Sequence, residues 1–304
     1  MNERVRWDVV GVGENSADYV NLVDTLPQPG ASQSKIEIRE RRVLCGGQMA
    51  TALCTCASLG LRAKYVGVIG ADDNGRRLRN ELGRHGVDIA HLAERSVATR
   101  TAVIFVHRST GDRLIAWHRD PGLNLRDEEI PLDDLGRARV VHVDQTDEAA
   151  ALRAARAGRA AQAIVTTDID GVAGVTVELA GLATHAIFAE DVPRQLTGEA
   201  DLERALRAIR RTTQATLVVT LGNRGSVALD ADRWHHEPAV DVSAVDTTGA
   251  GDVFRGGYIY GVLQGEPIGR ALRLANTAAA VSCTRVGALN GVPALNEIAH
   301  LMEG

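Results

Sequence analysis

A repeated alternation of short apolar runs with helix-like stretches constrains the fold of this chain more than any other feature. The apolar runs occupy residues 140–143, 163–167, 185–188 and 217–221. Helix-like stretches near 147–159 and 199–211 lie between the first two runs and between the last two. Buried parallel strands read as continuous apolar runs, and helices usually connect them. The pattern therefore predicts an α/β fold of three layers, with a mostly parallel central sheet between helices.

The same patterns extend toward both ends of the chain. Residues 7–12 and 64–69 are predicted strands, whereas the stretches near 46–60 and 72–86 are predicted helices. Two long helices are predicted to close the chain, and they cover about 250–263 and 268–284.

Two segments, about 15–43 and 99–120, depart from this alternation because their strand-like stretches have no helices between them. Residues 36–43 alternate apolar and charged side chains, as half-exposed strands do. Residues 107–112 read HRSTGD, which predicts a hairpin turn. We expect the two segments to form a small β-sheet lid at the edge of the main sheet, within a single domain that spans 1–304.

Composition limits the classes of protein to which the chain can belong. Hydrophobic residues make up 45 % and aromatic residues 3 %, so the core has to consist of Ala, Val, Leu and Ile. The net charge is −5 and the arginines are scattered, which argues against nucleic acid as a partner. The chain lacks an apolar run of about 18 residues and an apolar signal segment, so we expect no membrane contact and a cytoplasmic location. The spacing of its cysteines is not that of a zinc site and indicates buried thiols.

Lysine is rare in this chain and occurs only at Lys35 and Lys64. Neither lysine follows a glycine, so the Gly-x-x-x-x-Gly-Lys phosphate loop is absent. A phosphate group would have to be bound by another device.

The stretch DTTGAGDVFRGG, residues 246–257, provides such a device at the start of a predicted helix. The first N–H groups of a helix lack internal partners, and the small residues Gly249, Ala250 and Gly251 would let an anion approach them. Asp252 would lie in the same turn, where the helix dipole should lower its pKa. A carboxylate there is useful if it orients a hydroxyl that attacks a phosphate. On spacing alone, a helix cap and a tight turn explain the stretch equally well.

This stretch is similar, nearly letter for letter, to the C-terminal signature of the ribokinase-like (PfkB) carbohydrate kinases. Three further segments resemble motifs of that family in order and spacing. They are the glycine-pair segment that begins CGGQMATALC, the segment VTLGNRGSVAL and the segment LANTAAAVSCTRVGA. The resemblance covers essentially the whole chain, and it implies a ribokinase-like fold with a β-sheet lid.

The resemblance implies roles for residues on the substrate side. Asp252 would be the catalytic base, and the three small residues before it would form the anion hole. Asp18 would accept hydrogen bonds from two sugar hydroxyls, as a carboxylate suits neighbouring diols. Gly46 and Gly47 would let the substrate lie against the backbone.

The resemblance also implies a nucleotide side, with ATP and Mg²⁺ as cofactors. Thr220, Gly222 and Gly225 would lie near the phosphates and ribose of ATP, and Asn276 would lie beside the adenine. A monovalent cation, K⁺, is expected in a loop that involves both side chains and backbone carbonyls. The residues implied for it are Asp246, Thr248, Cys283, Val286 and Ala288.

Three positions depart from the family pattern. Thr51 replaces an asparagine, and its single hydroxyl lacks the separate donor and acceptor groups of an amide. The Asn-x-x-Glu element that organises Mg-ATP reads AEDV here, with Glu190 as its expected substitute. Ser16 stands where ribose-specific members tend to have asparagine, so ribose is not the favoured substrate. Gln145, which follows a strand, could face the sugar or be an exposed loop residue.

The expected activity is therefore transfer of the γ-phosphoryl group of ATP to a sugar hydroxyl, with a ketohexose or its derivative favoured. A kinase of a nucleoside or another hydroxylated small molecule is an alternative, as is a sugar-binding protein that lost its chemistry. An NAD-dependent dehydrogenase is disfavoured because the third position of its fingerprint is Ser16, and prolines follow in place of a helix. We also expect a homodimer through the lid, since exposed strand edges pair readily.

Overall fold

The structure, a computed structural model, describes residues 5–28, 30 and 35–303. The predicted lid segment 15–43 and the predicted domain 1–304 therefore include some positions outside the described residues. Those positions are 1–4, 29, 31–34 and 304.

Within the described residues, the strands form a nine-stranded sheet and a separate four-stranded sheet. The order of the large sheet is β13-β12-β11-β10-β9-β8-β1-β4-β5. All neighbours are parallel except the pairs β11–β12 and β12–β13, which are antiparallel. Its strands are β1 (Trp7–Val12), β4 (Ala63–Gly70), β5 (Asp88–Arg95), β8 (Ala138–Asp144), β9 (Ile164–Asp168), β10 (His185–Ala189), β11 (Thr216–Thr220), β12 (Ser226–Asp230) and β13 (Arg233–Glu237).

Helices connect the parallel strands, as the alternation predicts. In chain order the α-helices of the described residues are α1 (Gln48–Ser58), α2 (Asp73–Arg84), α3 (Leu132–Leu135), α4 (Glu148–Ala160), α5 (Thr176–Leu182), α6 (Val192–Thr197), α7 (Leu202–Arg210), α8 (Ala250–Leu263), α9 (Ile268–Cys283), α10 (Ala288–Gly291) and α11 (Leu295–Glu303). The last four follow β13 and connect no strands. In the described part of the chain, we find no helix with the length and apolar character needed to cross a membrane.

The large sheet has a buried core on each face because its central strands are apolar on both sides. Val9 of β1 packs with Met49 and Leu53 of α1, whereas Val10 belongs to a second cluster on the opposite face. Burial of one such valine stabilises the fold by about 1.5–3 kcal/mol. The predicted mostly parallel sheet between two helix layers is confirmed.

The second cluster is built mainly from alanine and valine, as the composition predicts. It includes Ala150 and Ala154 of α4 together with Val141 of β8. A Cβ added to Gly158 of the same helix would lie 2.9 Å from a methyl carbon of Val141. Small residues therefore let α4 pack closely on the sheet.

The four-stranded sheet is the predicted lid, and its order is β3-β2-β6-β7. Its strands are β2 (Ser16–Val23), β3 (Ile38–Gly46), β6 (Thr101–His107) and β7 (Arg113–His118). The strands β6 and β7 form the predicted hairpin. The lid was expected at the edge of the main sheet, but among the described strands it pairs only within itself. The chain enters the lid twice: β2 follows the central strand β1, and β6 follows the edge strand β5.

Candidate active site

The carboxyl ends of parallel strands meet the start of α8 at one crevice. Asp144 and Asp168 are the last residues of β8 and β9, and Asp252 lies in the first turn of α8. Such crevices, outside the carboxyl ends of the strands, are where open α/β sheets bind ligands.

The first turn of α8 leaves backbone N–H groups free to bind an anion. Gly249 precedes the helix with φ 78°, and a Cβ there would lie 2.6 Å from the Cβ of Ala288. Within the described chain, the N–H groups of Gly251 and Asp252 have no hydrogen-bond acceptor. Glycine at position 249 is therefore required by both conformation and space, and the N–H groups that follow it are open at the start of α8.

Asp252 is only partly exposed at the floor of the crevice. Withdrawal of its carboxylate from water raises its pKa to about 7, although the nearby Arg255 acts in the opposite direction. The carboxylates of Asp170, Asp18 and Asp144 raise that pKa further. The predicted lowering by the helix dipole is wrong, because burial and three like charges outweigh the dipole.

On the substrate side, the lid strand β2 carries Asp18 into the crevice. The hydroxyl of Ser16 donates a hydrogen bond of 2.6 Å to Oδ1 of Asp18. A Cβ on Gly46 would lie 2.3 Å from the other carboxylate oxygen of Asp18. Burial raises the pKa of Asp18, whereas the bond from Ser16 and the charge of Arg100 lower it.

The glycine pair has two different structural roles. Gly46 leaves room for the carboxylate of Asp18, as just described. Gly47 has φ 98°, and its missing Cβ would lie 2.4 Å from the Cα of Asn15. The backbone at α1 therefore passes against the β1–β2 connection so closely that only glycine is accommodated.

The structure places the other two predicted substrate residues differently. Thr51 is fully buried in α1, and its hydroxyl has no hydrogen-bond partner within the described residues. Gln145 donates to the carbonyl of Gly171 at 2.7 Å and accepts from the hydroxyl of Thr176 at 3.0 Å. Both ends of the Gln145 amide are thus engaged by neighbouring loops, and the Thr51 side chain has no surface open to the crevice.

A cavity of about 690 Å³ opens beside the start of α8. The structure brings the predicted nucleotide residues together there: its lining includes Thr220, Gly222, Gly225 and Asn276, along with Ala250, Gly251 and Phe254. Its volume lies within the range that holds small molecules and cofactors.

Two nucleotide-side residues shape this cavity through the backbone. Gly225 has φ 86°, and a Cβ there would lie 2.1 Å from the carbonyl oxygen of Glu237. The amide nitrogen of Asn276 donates to the carbonyls of Glu237 and Pro238, at 3.0 and 3.1 Å. Asn276 therefore holds the loop after β13 against α9, at the wall of the cavity.

Glu190, at the end of β10, lies between two arginines. Arg224 pairs with its carboxylate, and Arg194 approaches the same oxygen at 3.3 Å. These hydrogen bonds hold the pKa of Glu190 below its usual value. The carboxylate stays ionised, but its charge is shared with both guanidinium groups.

The predicted cation loop is closed by Asp246. Its two carboxylate oxygens accept from the N–H groups of Thr248 at 2.9 Å and Gly287 at 2.8 Å. Its own N–H donates to the carbonyl of Cys283 at 3.1 Å. Val286 and Ala288 flank Gly287, so all five predicted residues belong to this loop region. The Thr248 hydroxyl is buried and has no partner within the described chain.

Residues 8–295 match the pfkB family of carbohydrate kinases. The chain belongs to this family. Nucleoside kinase of Methanothermobacter thermautotrophicus is 26 % identical over 95 % of this chain and 94 % of its own length. Fructokinase-1 of Oryza sativa subsp. japonica is 29 % identical over 97 % of both chains. The protein is thus a carbohydrate kinase by family, and its relatives include kinases of sugars and of nucleosides.

Solved structures agree with this family membership. Ribokinase from Thermotoga maritima superposes with a TM-score of 0.87 at 26 % identity, over 98 % of this chain and all of the other. Arabidopsis thaliana ribokinase, solved with ribose and ATP, superposes with a TM-score of 0.83 at 23 % identity over 98 % of this chain and 99 % of the other. The ribokinase-like fold is confirmed.

Sequence reasoning missed a buried ion pair below the catalytic crevice of this kinase. Nη2 of Arg255 lies 2.6 Å from Oδ1 of Asp168, and their side chains are 4 % and 0 % exposed. Burial raises the pKa of Asp168, and the charge of Arg255 lowers it. An arginine inside an otherwise small and apolar helix start was the available signal, but its partner lies far away in the chain.

Sequence reasoning also missed Asp170, which is exposed just after β9. Its negative charge raises the pKa of Asp252 and of Asp168, so it faces the same crevice. A carboxylate that follows a predicted parallel strand was the signal that could have found it.

Proposed function

We propose that this kinase transfers the γ-phosphoryl group of ATP to a hydroxyl of a sugar, with a ketohexose or its derivative as the favoured acceptor. One observation carries the proposal. The open first turn of α8 lies between the nucleotide cavity and the carboxylate of Asp18, with Asp252 at the junction. A phosphoryl group held at that turn would have a nucleotide on one side and an acceptor hydroxyl on the other.

Asp252 has the position and the acidity for a general base. It orients the acceptor hydroxyl and takes its proton as the oxygen attacks phosphorus. Because the pKa of Asp252 is about 7, the carboxylate can accept a proton at neutral pH and release it after transfer. The N–H groups of Gly251 and its neighbours stabilise the charge on the transferred group.

The acceptor is positioned by the lid. Asp18 accepts hydrogen bonds from two neighbouring hydroxyls, while Ser16 holds its carboxylate in place. Closure of the lid over the acceptor keeps water from competing for the phosphoryl group.

The nucleotide side is suited to ATP with Mg²⁺. Magnesium usually keeps several waters and binds through substrate phosphates with one or two carboxylates. Asp170 is exposed and could serve as one, whereas Glu190 would first have to release Arg194 and Arg224. When bound, it neutralises charge on the phosphates. For K⁺, the buried hydroxyl of Thr248 and the carbonyl of Cys283 are oxygen donors of the right chemistry.

A nucleoside is the second candidate acceptor, and one lid residue favours it. Asp18, Ala102 and Trp117 are in register on neighbouring lid strands, so they share a face of the sheet. Trp117 is 65 % exposed, and the guanidinium of Arg100 lies over its ring at 5.6 Å. An exposed indole on the same face as Asp18, with β6 between them, offers a base a surface for stacking.

A homodimer through the lid is also proposed. β7 is an edge strand of the lid and is exposed along its whole length, including Leu114, Ile115 and Trp117. Exposed apolar edge strands pair readily with a second chain. Light scattering at working concentration should give twice the mass of the chain, and a monomer mass would remove this proposal. A cytoplasmic location stays a prediction.

The activity is tested by ADP release from Mg-ATP, with K⁺ present, across ketohexoses, aldoses, sugar acids and nucleosides. We expect turnover with one class and its loss in the isosteric variant Asp252→Asn, while ATP still binds. Equal turnover in that variant would contradict the role of Asp252. ATP binding without turnover on any acceptor would instead support a binding protein that has lost its chemistry.

A further inference from the structure

A buried arginine lies under the first turn of α8. Arg255 follows Asp252 by three residues, and its side chain is almost entirely withdrawn from solvent. Side chains of a helix point back toward the start of that helix. Accordingly, a Cβ added to Gly251 would lie 2.8 Å from Nη1 of Arg255. The guanidinium therefore occupies the space that the missing side chain of Gly251 leaves under the turn.

The guanidinium connects this turn to the carboxyl end of a strand. Nη2 of Arg255 lies 2.6 Å from Oδ1 of Asp168, the last residue of β9. The amide of Gln48, the first residue of α1, donates to the same oxygen at 3.4 Å. The carboxylate of Asp168 thus contacts the starts of two helices. One helix follows the glycine pair on the acceptor side, and the other carries Asp252.

The bodies of these two helices pack directly against each other. Gly256 of α8 follows Arg255, and a Cβ there would lie 2.5 Å from the Cβ of Thr55 in α1. Such a close approach fixes α8 against α1 at its second turn. The Arg255 side chain then lies between that contact and the first turn, where it supports Asp252 from below.

Asp168 is the group that neutralises Arg255. Within the described residues, this carboxylate forms the only ion pair of the guanidinium. His142 of β8 lies on the same face of the sheet as Asp168. Burial and the charge of Arg255 lower the pKa of His142 to about 3, so the imidazole is neutral. The positive charge of Arg255 lowers the pKa of both Asp168 and Asp252.

The pair is not built for stability alone. Nε of Arg255 and Oδ2 of Asp168 are buried and have no hydrogen-bond partner among the described residues. A buried ion pair stabilises a fold only when further hydrogen bonds satisfy its remaining donors and acceptors, and apolar residues of similar volume often do as well. Departures of this kind are expected at functional sites. The location of the pair, under the turn that carries Asp252, indicates which function it serves.

We propose that Arg255 is a positioning residue that, paired with Asp168, holds the first turn of α8 in its reactive position before the substrates bind. This inference rests on the proposed function. The acceptor oxygen attacks the γ-phosphorus, the bond to the β-phosphate oxygen breaks, and Asp252 takes the proton. Arg255 does not line the nucleotide cavity, so it acts through the turn and exchanges neither a proton nor a phosphoryl group.

The expected effect falls on turnover. Arg255→Met should lower kcat about 100-fold, since misplacement of a reacting group by about 1 Å costs that much. KM for the acceptor and the affinity for ATP should change less than about threefold, because Asp18 and the cavity lining are untouched. Arg255→Lys should recover part of kcat, as it retains the charge that faces Asp168 but not the planar fork.

A double variant separates positioning from stability. Combining Arg255→Met with Asp168→Leu removes both charges, so the protein should unfold near the temperature of the unmodified chain. The loss of kcat should persist in this variant, because the first turn of α8 is still not held by the ion pair.

Lys64→Met is the matched control. The ammonium group of Lys64 is buried between Asp88 and Asp134, at 2.9 and 3.0 Å. Lys64 lies near the start of β4, at the opposite end of the sheet from the crevice. Loss of this pair should also destabilise the fold, yet kcat should stay within about threefold of the unmodified enzyme. Circular dichroism finds the temperature at which every variant is folded, and the kinetics are measured there.

The assay uses the full chain with Mg-ATP and the acceptor found in the activity panel, and it measures kcat, KM and the affinity for ATP. A loss of kcat that persists in the double variant, with both affinities retained, supports the inference. Recovery of kcat together with stability in the double variant overturns it, since Arg255 would then only hold the fold together. An equal loss of acceptor or ATP binding also overturns it, because the pair would then shape a binding site. Absence of activity in the unmodified enzyme would instead overturn the proposed function.

Discussion

The main sheet and the lid contribute the two halves of the site by different physical means. Around β1 and β8 the strands are buried on both faces, and the ion pair of Arg255 with Asp168 lies inside the protein. The lid has a small core that includes Val20, Ile104 and Val106, and β7 is exposed throughout. The difference indicates a fixed half that positions Asp252, the proposed catalytic base, and a thinly packed half that can move onto a bound substrate.

The largest effect is expected from the buried ion pair of the main sheet. Arg255→Met leaves the carboxylate of Asp168 buried without its partner, which should lower the free energy of unfolding by about 3–5 kcal/mol. Urea denaturation measures this loss. Adding Asp168→Leu should restore much of it, because both charges are then removed. A loss below about 1 kcal/mol would show that the fixed half does not depend on this pair.

The next largest effect is expected from a substitution at Gly46, where the lid meets the main sheet. Gly46→Ala places a methyl group 2.3 Å from a carboxylate oxygen of Asp18, so Asp18 has to move. We expect KM for the acceptor to rise about tenfold or more, which corresponds to about 1.4 kcal/mol of lost binding.

Gly83→Ala is the control for this substitution. Gly83 lies in α2, and an added Cβ there meets open space. This variant should keep its KM and gain slightly in stability, since alanine favours a helix. Steady-state kinetics of both variants decide the matter: an unchanged KM in Gly46→Ala would mean that the lid adapts to the methyl group.

The pH dependence of kcat/KM tests the role of Asp252 in the fixed half of the site. A base must be deprotonated to act, and the pKa of Asp252 is about 7. The value of kcat/KM should therefore rise about tenfold per pH unit below 7 and level off above it, as the free enzyme loses this proton. A rate profile from pH 5 to pH 9 checks this. A profile that is flat down to pH 5 would place the controlling ionisation elsewhere.

The smallest effect is expected on the lid surface. Arg39 and Asp24 form an exposed pair at 2.6 Å, with side chains 44 % and 48 % exposed. Arg39→Ala should leave the free energy of unfolding almost unchanged, since solvent screens such pairs. The same denaturation assay compares it with Arg255→Met. Equal losses would erase the proposed contrast between the two regions.

Strong local patterns made part of the fold predictable. β1 and α8 have the predicted bounds, because a continuous apolar run and a glycine-rich helix start are signals within single segments. β5 was missed because DIAHLAER has few β-branched residues and lies at a sheet edge, half exposed. The hairpin of β12 and β13 was missed because β13 reads RWHHE, a polar and partly exposed strand without an apolar run.

For the candidate site, too, some features were predictable from the sequence and others were not. The anion hole stays a prediction from Gly249 and Gly251, since small residues at a helix start expose its first N–H groups but also suit a tight turn. The expected pKa of Asp252 had the wrong sign, because burial and the charges of Asp18 and Asp170 come from other segments. Arg113, which lines the nucleotide cavity, was missed because its approach to Thr247 depends on how the lid folds back.

The sequence by itself determined the α/β alternation, the family and the chemistry of the helix start, because each is written in neighbouring residues. Only the tertiary structure decided what surrounds Asp252, which partner neutralises Arg255, and which lid side chain reaches the nucleotide cavity. The physical reason is that electrostatic energies depend on burial and on distances between segments, and these are fixed only when the sheet and the lid are assembled.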